Sequence, residues 1–126
     1  MAEKGVKAAL KEAREAIDAK DHKKALKSCK KALNMDKNNF MAYVFCGICL
    51  TELDQPDQAL QAYRKAVEIS PEQLTGWQGL ATFFEKRIHA ESENADLKNN
   101  LADVYAKIMD LLIAAGDLNK YVDMSR

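Results

Sequence analysis

The feature that most constrains the fold is a self-similarity at a separation of thirty-four residues. The segments ALKSCKKALNMDKNN and ALQAYRKAVEISPEQ align without a gap, so that Ala25 matches Ala59 and Ala32 matches Ala66. A fixed period of this length indicates stacked units, because one unit cannot bury its apolar face alone. One repeat therefore starts near Val6 and the next near Phe40.

Apolar residues recur at helical spacing along nearly the whole chain, and only two prolines, Pro56 and Pro71, interrupt the pattern. The chain of 126 residues is 48% hydrophobic and 30% charged, which is the balance of a folded domain of ordinary size. The sequence therefore predicts an all-α protein with a single domain.

Large and small residues within the repeats fall at the spacings of the tetratricopeptide pattern, and the chain resembles that family. The positions that carry the resemblance are Ala25, Ala32, Tyr43, Gly47, Ala59, Tyr63, Ala66, Pro71, Trp77, Leu80, Ala81 and Phe84. The small residues let two helices approach closely, while the tyrosines fill the space beside them. The resemblance implies a right-handed superhelix of about three antiparallel hairpins and the start of a fourth.

The repeat frame divides the predicted single domain 1–126 as follows: about 6–39, about 40–73, about 74–116 with an enlarged loop at 88–96, and a fourth opening at about 117–126. Gly116 suits a helix end, Asp117 an N-cap and Tyr121 the bulky slot of the next helix. An alternative frame puts the helix around Tyr105 first in a hairpin. Because a solenoid normally ends in a polar capping element, the frame predicts a fragment of a longer repeat protein.

Charge and composition disfavour two kinds of partner. Nineteen basic and nineteen acidic residues cancel, so no excess of positive charge attracts nucleic acid, and direct binding to it is disfavoured. No stretch approaches the ~20 apolar residues that span a bilayer, so no membrane contact is expected. With an odd number of cysteines, the predicted location is the reducing cytoplasm, with the nucleus as a second compartment.

Catalytic and metal chemistry have one candidate, the C-x-x-C pair of Cys46 and Cys49. A redox pair needs a helix N-terminus, whereas these cysteines fall in the middle of a predicted helix. A zinc site needs two further ligands, and Cys29, His22 and His89 occur singly. No glycine-rich phosphate loop or other catalytic motif occurs. The sequence thus predicts no enzyme, no metal and no cofactor.

The first helices of stacked hairpins line a concave groove that holds peptides or partner helices in this family. The predicted lining residues are Leu10, Arg14, Met41, Val44, Ile48, Glu52, Gln78, Thr82 and Lys86. For Val44 and Ile48 an alternative stays open, in which both pack against neighbouring repeats.

Co-chaperone members of the family hold a terminal carboxylate with cationic and amide side chains. Their positions correspond here to Leu10, Arg14, Phe45, Thr75 and Gly79. Only Arg14 is charged, so a hydrophobic or helical partner fits better than such a tail. A co-chaperone-type adaptor that binds a peptide or helix remains the alternative function.

Two longer runs, KKALKSCKKALNMDKNNFMAYVFCGICL and ELDQPDQALQAYRKAVEISPEQLTGWQGLATFFEK, resemble the N-terminal segments of the tetratricopeptide subunits of superkiller complexes. The most specific part is SPEQLTGWQGLA, which the general repeat pattern does not require. The resemblance implies a cytoplasmic scaffold that assembles an RNA helicase and WD-repeat subunits into an adaptor feeding messenger RNA to the exosome. Scaffolding would then be the activity, and RNA decay the process.

Overall fold

The computed structural model describes residues 2–116, with side chains from Lys4 onward. This range contains six α-helices: α1 Ala2–Asp18, α2 His22–Met35, α3 Phe40–Glu52, α4 Pro56–Ile69, α5 Leu74–Ala90 and α6 Ala95–Ala114. The prediction of an all-α fold is confirmed. The predicted opening of a fourth hairpin at 117–126, with Asp117 and Tyr121, lies outside the described residues.

The helices pair as hairpins, as the repeat pattern predicts. Helix α1 packs on α2, α3 packs on α4, and α2 and α3 join the two hairpins. The chain divides between Gly79 and Leu80 into two compact units. The first unit contains α1–α4 and the start of α5, and the second contains the rest of α5 and α6.

The turns inside the first two hairpins each have one residue with a left-handed backbone conformation, at the same repeat position. Lys20 has φ 62° and Asp54 has φ 60°. In the first turn the amide of Asp21 donates to the carbonyl of Ala16 over 2.8 Å, and the second turn repeats this bond. This is the Schellman ending of a helix, which usually places glycine at the left-handed position. Both turns therefore end their helix with a side chain in an unfavourable backbone conformation.

Replacing Lys20 with glycine is expected to raise the free energy of unfolding by about 1 kcal/mol. The left-handed conformation costs a residue with a side chain ~1–2 kcal/mol, and the greater flexibility of unfolded glycine offsets part of that gain. Urea denaturation followed by circular dichroism measures the change. Lys23→Gly, at an exposed position inside α2, is the control and should lose up to ~1 kcal/mol. A loss in both variants would contradict the assigned role of Lys20.

The helix starts use side chains that the sequence places just before each helix. Asp21 Oδ1 accepts from the amide of Lys24 at 3.2 Å, and Asn39 Oδ1 accepts from the amide of Ala42 at 2.9 Å. Pro56 occupies the first turn of α4, where no amide proton is needed. These caps fix the hairpin register locally.

Helix α3 is the centre of the first unit, because it contacts α1, α2 and α4. Eight of its thirteen residues are buried, which explains why its sequence is apolar nearly all round. The core consists of small clusters: Val6, Ala9, Ala32 and Ala42; Ala16, Ala25 and Cys49; and Phe40, Val44 and Ala66. Alanine dominates these contacts and allows close helix approach.

The ring of Tyr63 packs against two glycines. A Cβ at Gly47 would lie 2.6 Å from Tyr63 Cε1, and a Cβ at Gly79 would overlap the same edge of the ring. Thr51 Oγ1 donates to the carbonyl of Gly47 over 2.7 Å, and the Tyr63 hydroxyl is hydrogen-bonded to Thr51. Burial raises the pKa of Tyr63 to about 12. The ring thus depends on the absence of two side chains.

Trp77 is half-buried. Its indole Nε1 donates to the carbonyl of Pro71 over 2.8 Å. The side chain therefore lies against the α4–α5 connection and is bonded to its backbone. It is less completely buried than Tyr63.

The second unit differs from the sequence expectation in its connection. The enlarged loop predicted over 88–96 is shortened to residues 91–94, because α5 continues to Ala90 and α6 begins at Ala95. No glycine or proline lies in that segment to end the helix, and Arg87 pairs with Glu91 one turn later. The Asn94 side chain then caps α6. The additional residues lengthen the helices instead of the loop.

A candidate protein-binding pocket between the first helices

Helix α1 carries its basic residues on one face. Lys7, Leu10, Lys11 and Arg14 follow the spacing i, i+3, i+4, i+7, which places their side chains on adjacent turns of the same side. All three basic side chains are exposed, while Leu10 is half-buried. This face is therefore a basic stripe with an apolar residue within it.

The stripe forms a pocket with helix α3. Lys7, Leu10, Lys11 and Arg14 line one side, and Met41 and Phe45, one turn apart on α3, line the other. The cavity measures about 250 Å³. We name this site the α1–α3 pocket.

The α1–α3 pocket has an apolar floor and a cationic wall. Leu10 and Met41 are half-buried, and Phe45 is 7% exposed, so the floor is firmly packed. The guanidinium carbon of Arg14 lies 5.9 Å from the centroid of the Phe45 ring, within reach of a cation–π contact. Among the side chains that the structure describes from Lys4 onward, no carboxylate lines the pocket. The site therefore suits a ligand with an apolar side chain and negative charge beside it.

Three of the residues predicted for the groove meet in this pocket, namely Leu10, Arg14 and Met41. Lys7 and Lys11 were not among the predicted lining residues. The signal that would have found them is their spacing to Arg14, which repeats at one and two helical turns.

The remaining predicted residues of α3 have different environments. Val44 is 3% exposed and packs with Phe40 and Ala66, so it matches the packing alternative. Ile48 is half-buried against the same cluster. Glu52 is exposed at the end of the helix.

The predicted residues of α5 are exposed, but they belong to two units. Gln78 lies in the first unit, and Thr82 and Lys86 lie in the second. Their inclusion in one groove with α1 and α3 stays a prediction.

The positions of the co-chaperone clamp do not present the required groups. Phe45 forms the pocket floor, and Gly79 lies against the ring of Tyr63. Thr75 is exposed. Arg14 is thus the single cation at these positions.

The three cysteines come together in the core between α2 and α3. Cys29, Cys46 and Cys49 are all buried and free. Hydrogen bonding to Cys46 and Cys49, together with burial, raises the pKa of the Cys29 thiol. The sequence placed Cys46 and Cys49 on one helix but did not anticipate that Cys29 would contact both. The environment keeps Cys29 protonated and shielded.

All three thiols are therefore expected to resist modification in the folded protein. Hydrogen bonds from Cys29 lower the pKa of Cys46 and Cys49, so their protection rests on burial, which keeps a reagent from the sulfur atoms. Ellman's reagent should therefore react slowly with the native chain and completely after addition of guanidinium. Lys37→Cys, at an exposed turn position, is the control and should react at once. Rapid reaction of the unaltered chain without denaturant would contradict the burial of the cluster.

Across the described part of the chain, no three histidine, cysteine, aspartate or glutamate side chains are arranged to hold a metal ion. None of the helices described between residues 2 and 116 has the length and apolarity that crossing a membrane requires.

Comparison with known proteins identifies relatives over the whole chain. The chain is 48% identical to superkiller complex protein 3 of Mus musculus and 47% identical to that of Homo sapiens, in each case over 126 residues, or 100% of this chain. Superkiller protein 3 of Schizosaccharomyces pombe is 32% identical over 118 residues, or 94% of this chain. The chain spans only 8% of the length of each of these relatives.

Solved structures share the fold at low sequence identity. MamA aligns with a TM-score of 0.75 at 15% identity, covering 89% of this chain and 61% of that one. The tetratricopeptide domain of Arabidopsis OM64 aligns with a TM-score of 0.59 at 17% identity, covering 82% of this chain and 97% of that one. The family model described as "Tetratricopeptide repeat" matches residues 16–82. With the repeated hairpins and the fold in agreement, the chain belongs to the tetratricopeptide repeat family.

Proposed function

We propose that this chain is a non-catalytic scaffold segment of a superkiller-type complex, in which it binds other protein subunits. The observation that carries the proposal is 48% identity to superkiller complex protein 3 along the entire chain. Similarity of this extent includes surface as well as core positions, so it supports a shared role and not a shared fold alone.

The α1–α3 pocket supports binding as the activity. It is an open site on exposed helix faces, with apolar and charged groups side by side, as protein-binding sites commonly have. The three cysteines are buried, which argues against a role for them in redox catalysis. Both the open pocket and the burial of the cysteines therefore support scaffolding over catalysis.

The proposal extends to the process and the place. A scaffold of this kind would hold an RNA helicase and WD-repeat subunits, or an exosome adaptor, and would act in cytoplasmic decay of messenger RNA. The nuclear location that the sequence left open has no support from the comparisons.

Affinity capture from cytosolic extract tests the proposal, with this chain as bait and an unrelated tetratricopeptide domain of similar length as control. Enrichment of the helicase and WD-repeat subunits with this bait alone is the expected result. Capture of chaperones in their place would favour the co-chaperone-type adaptor. Recovery of neither class, with a bait shown to be folded by circular dichroism, would count against both.

A further inference from the structure

We infer that the α1–α3 pocket binds an internal acidic segment of a partner protein, with one large apolar side chain seated between Leu10, Met41 and Phe45. The inference deepens the proposed function and rests on it in one respect, since it takes the ligand to be a protein segment. It adds the chemistry by which that segment is recognised.

Charge segregation on α1 is the first argument. The chain as a whole is neutral, with nineteen basic and nineteen acidic residues, yet the described side chains that line the pocket include Lys7, Lys11 and Arg14 and no acidic residue. Glu12 and Glu15 of the same helix face a different depression. Positive charge is thus gathered on this face of α1, as it also is on α2, whose sequence has five lysines and no acidic residue. The pocket differs from α2 in placing its cations beside an apolar floor.

The cations of the pocket are also available. Among the residues whose side chains are described, no carboxylate lies within ion-pair distance of Lys7, Lys11 or Arg14. Elsewhere, by contrast, Lys65 and Arg87 pair with glutamates on their own helices. Carboxylates of a partner would therefore meet charges that no described carboxylate of this chain pairs with, which favours association and selects against basic partners.

The floor of the pocket supplies the second half of the recognition. Its volume, about 250 Å³, is below the ~300–1,000 Å³ of sites for whole small molecules, and matches a single side chain better. The floor offers a thioether, an aliphatic and an aromatic surface, which adapt to leucine, methionine or phenylalanine alike. The apolar anchor determines where the segment lies, and the cations select a segment that carries negative charge.

An internal segment fits better than a free C-terminus. Of the five positions that hold a terminal carboxylate in co-chaperone relatives of the family, Leu10 and Phe45 are apolar here and form the floor. A terminal carboxylate would have to lie on that apolar surface. Side-chain carboxylates on either side of an anchor would instead reach the rim.

The test uses the 126-residue chain and a short fluorescent peptide with both ends blocked, in which one phenylalanine is flanked by glutamates. Fluorescence anisotropy should report saturable binding that weakens as salt is added. The double variant Lys7→Glu/Lys11→Glu should bind at least about tenfold more weakly, because two attractive charges become repulsive. The matched control is Lys23→Glu/Lys27→Glu, an equally spaced exposed pair on α2, with an expected change below about twofold.

Four results of the peptide measurements would overturn the inference, and so would a fifth from competition with RNA. The four are no binding by the unaltered chain, an equal loss in both double variants, equal binding of a peptide with serine in place of phenylalanine, and tighter binding of a peptide with a free C-terminal carboxylate. A single-stranded RNA that displaces the peptide from the same pocket would overturn it as well. Circular dichroism of each variant establishes that the fold is intact.

The outcome is separable from that of the proposed function. If the helicase and WD-repeat subunits are captured but the peptide does not bind, the scaffold stands and the pocket chemistry is wrong. If the peptide binds but those subunits are not captured, the pocket stands and its assignment to a superkiller-type complex is wrong.

Discussion

Gly79→Ala is expected to lower the free energy of unfolding by about 2–3 kcal/mol, even though alanine is a better helix former than glycine by ~1 kcal/mol. The added Cβ would overlap the edge of the Tyr63 ring, which is 3% exposed and has little room to move. Overpacking of a rigid buried ring outweighs the gain in helix propensity. Gly47→Ala should act in the same direction, because its Cβ would meet the same ring atoms.

A double-mutant cycle attributes the loss to the ring. In a Tyr63→Ala background, Gly79→Ala should no longer destabilise, because the overlapping atoms are gone. Gly5→Ala is the matched control, since the atom nearest its Cβ is the flexible end of Met35, and its effect should be small. Urea denaturation measures the free energy of unfolding of the unaltered chain and of each of these variants. A penalty for Gly79→Ala that persists without the ring would contradict this account.

Because of Tyr63, the free energy of unfolding should fall by about 2 kcal/mol between pH 10 and pH 12, out of a total loss of roughly 3 kcal/mol. Burial raises the pKa of Tyr63 from its ordinary value of 10.0 to about 12, and each pKa unit corresponds to ~1.4 kcal/mol. The raised pKa means that the folded state holds the proton more tightly. The contribution is therefore complete below pH 10 and is lost as the pH rises through 12.

Comparison with Tyr63→Phe isolates this contribution, because lysines and the other tyrosines titrate in the same range in both proteins. Above pH 10 the free energy of unfolding should fall more steeply with pH in the unaltered chain than in Tyr63→Phe. Below pH 10 the difference between the two proteins should stay constant. Parallel curves up to pH 12 would show that the hydroxyl ionises in the folded state without hindrance.

Much of the fold followed from the sequence because it depends on short-range regularities. The thirty-four-residue period fixed the hairpins, and the alternation of alanines with Tyr63 indicated where helices approach closely. Caps such as Asn39 lie at the expected helix start. These features need only local spacing, which a sequence displays directly.

The connection near residues 88–96 could not be read in the same way. A departure from the period shows that residues have been inserted, but not whether they extend a helix or a loop. The choice depends on local bonds, such as the cap at Asn94 and the pairing of Arg87 with Glu91, whose combined effect is small and easily misjudged.

The candidate site was only partly predictable, for a geometric reason. Leu10 and Met41 could be assigned to the inner face from the repeat frame. Lys7 and Lys11 share the face of α1 that carries Arg14, but only the packing of α1 beside α3 shows that this face borders Met41 and Phe45. The contact of Cys29 with Cys46 and Cys49 was hidden for a similar reason, because it depends on the register between α2 and α3.

The uneven burial of the helices has a consequence for amide hydrogen exchange. Eight of the thirteen residues of α3 are buried, whereas in α6, all of whose residues are described, only Val104 is buried and Tyr105, Met109 and Ile113 are 45%, 39% and 50% exposed. Local opening needs less free energy where less apolar surface must be exposed. Amide hydrogens of α6 should therefore exchange with solvent through frequent local opening. Those of α3 should exchange only when the surrounding helices open, which is rarer. Cooperativity of unfolding would then decline along the chain, and a single melting temperature would describe the first hairpins better than the last helix.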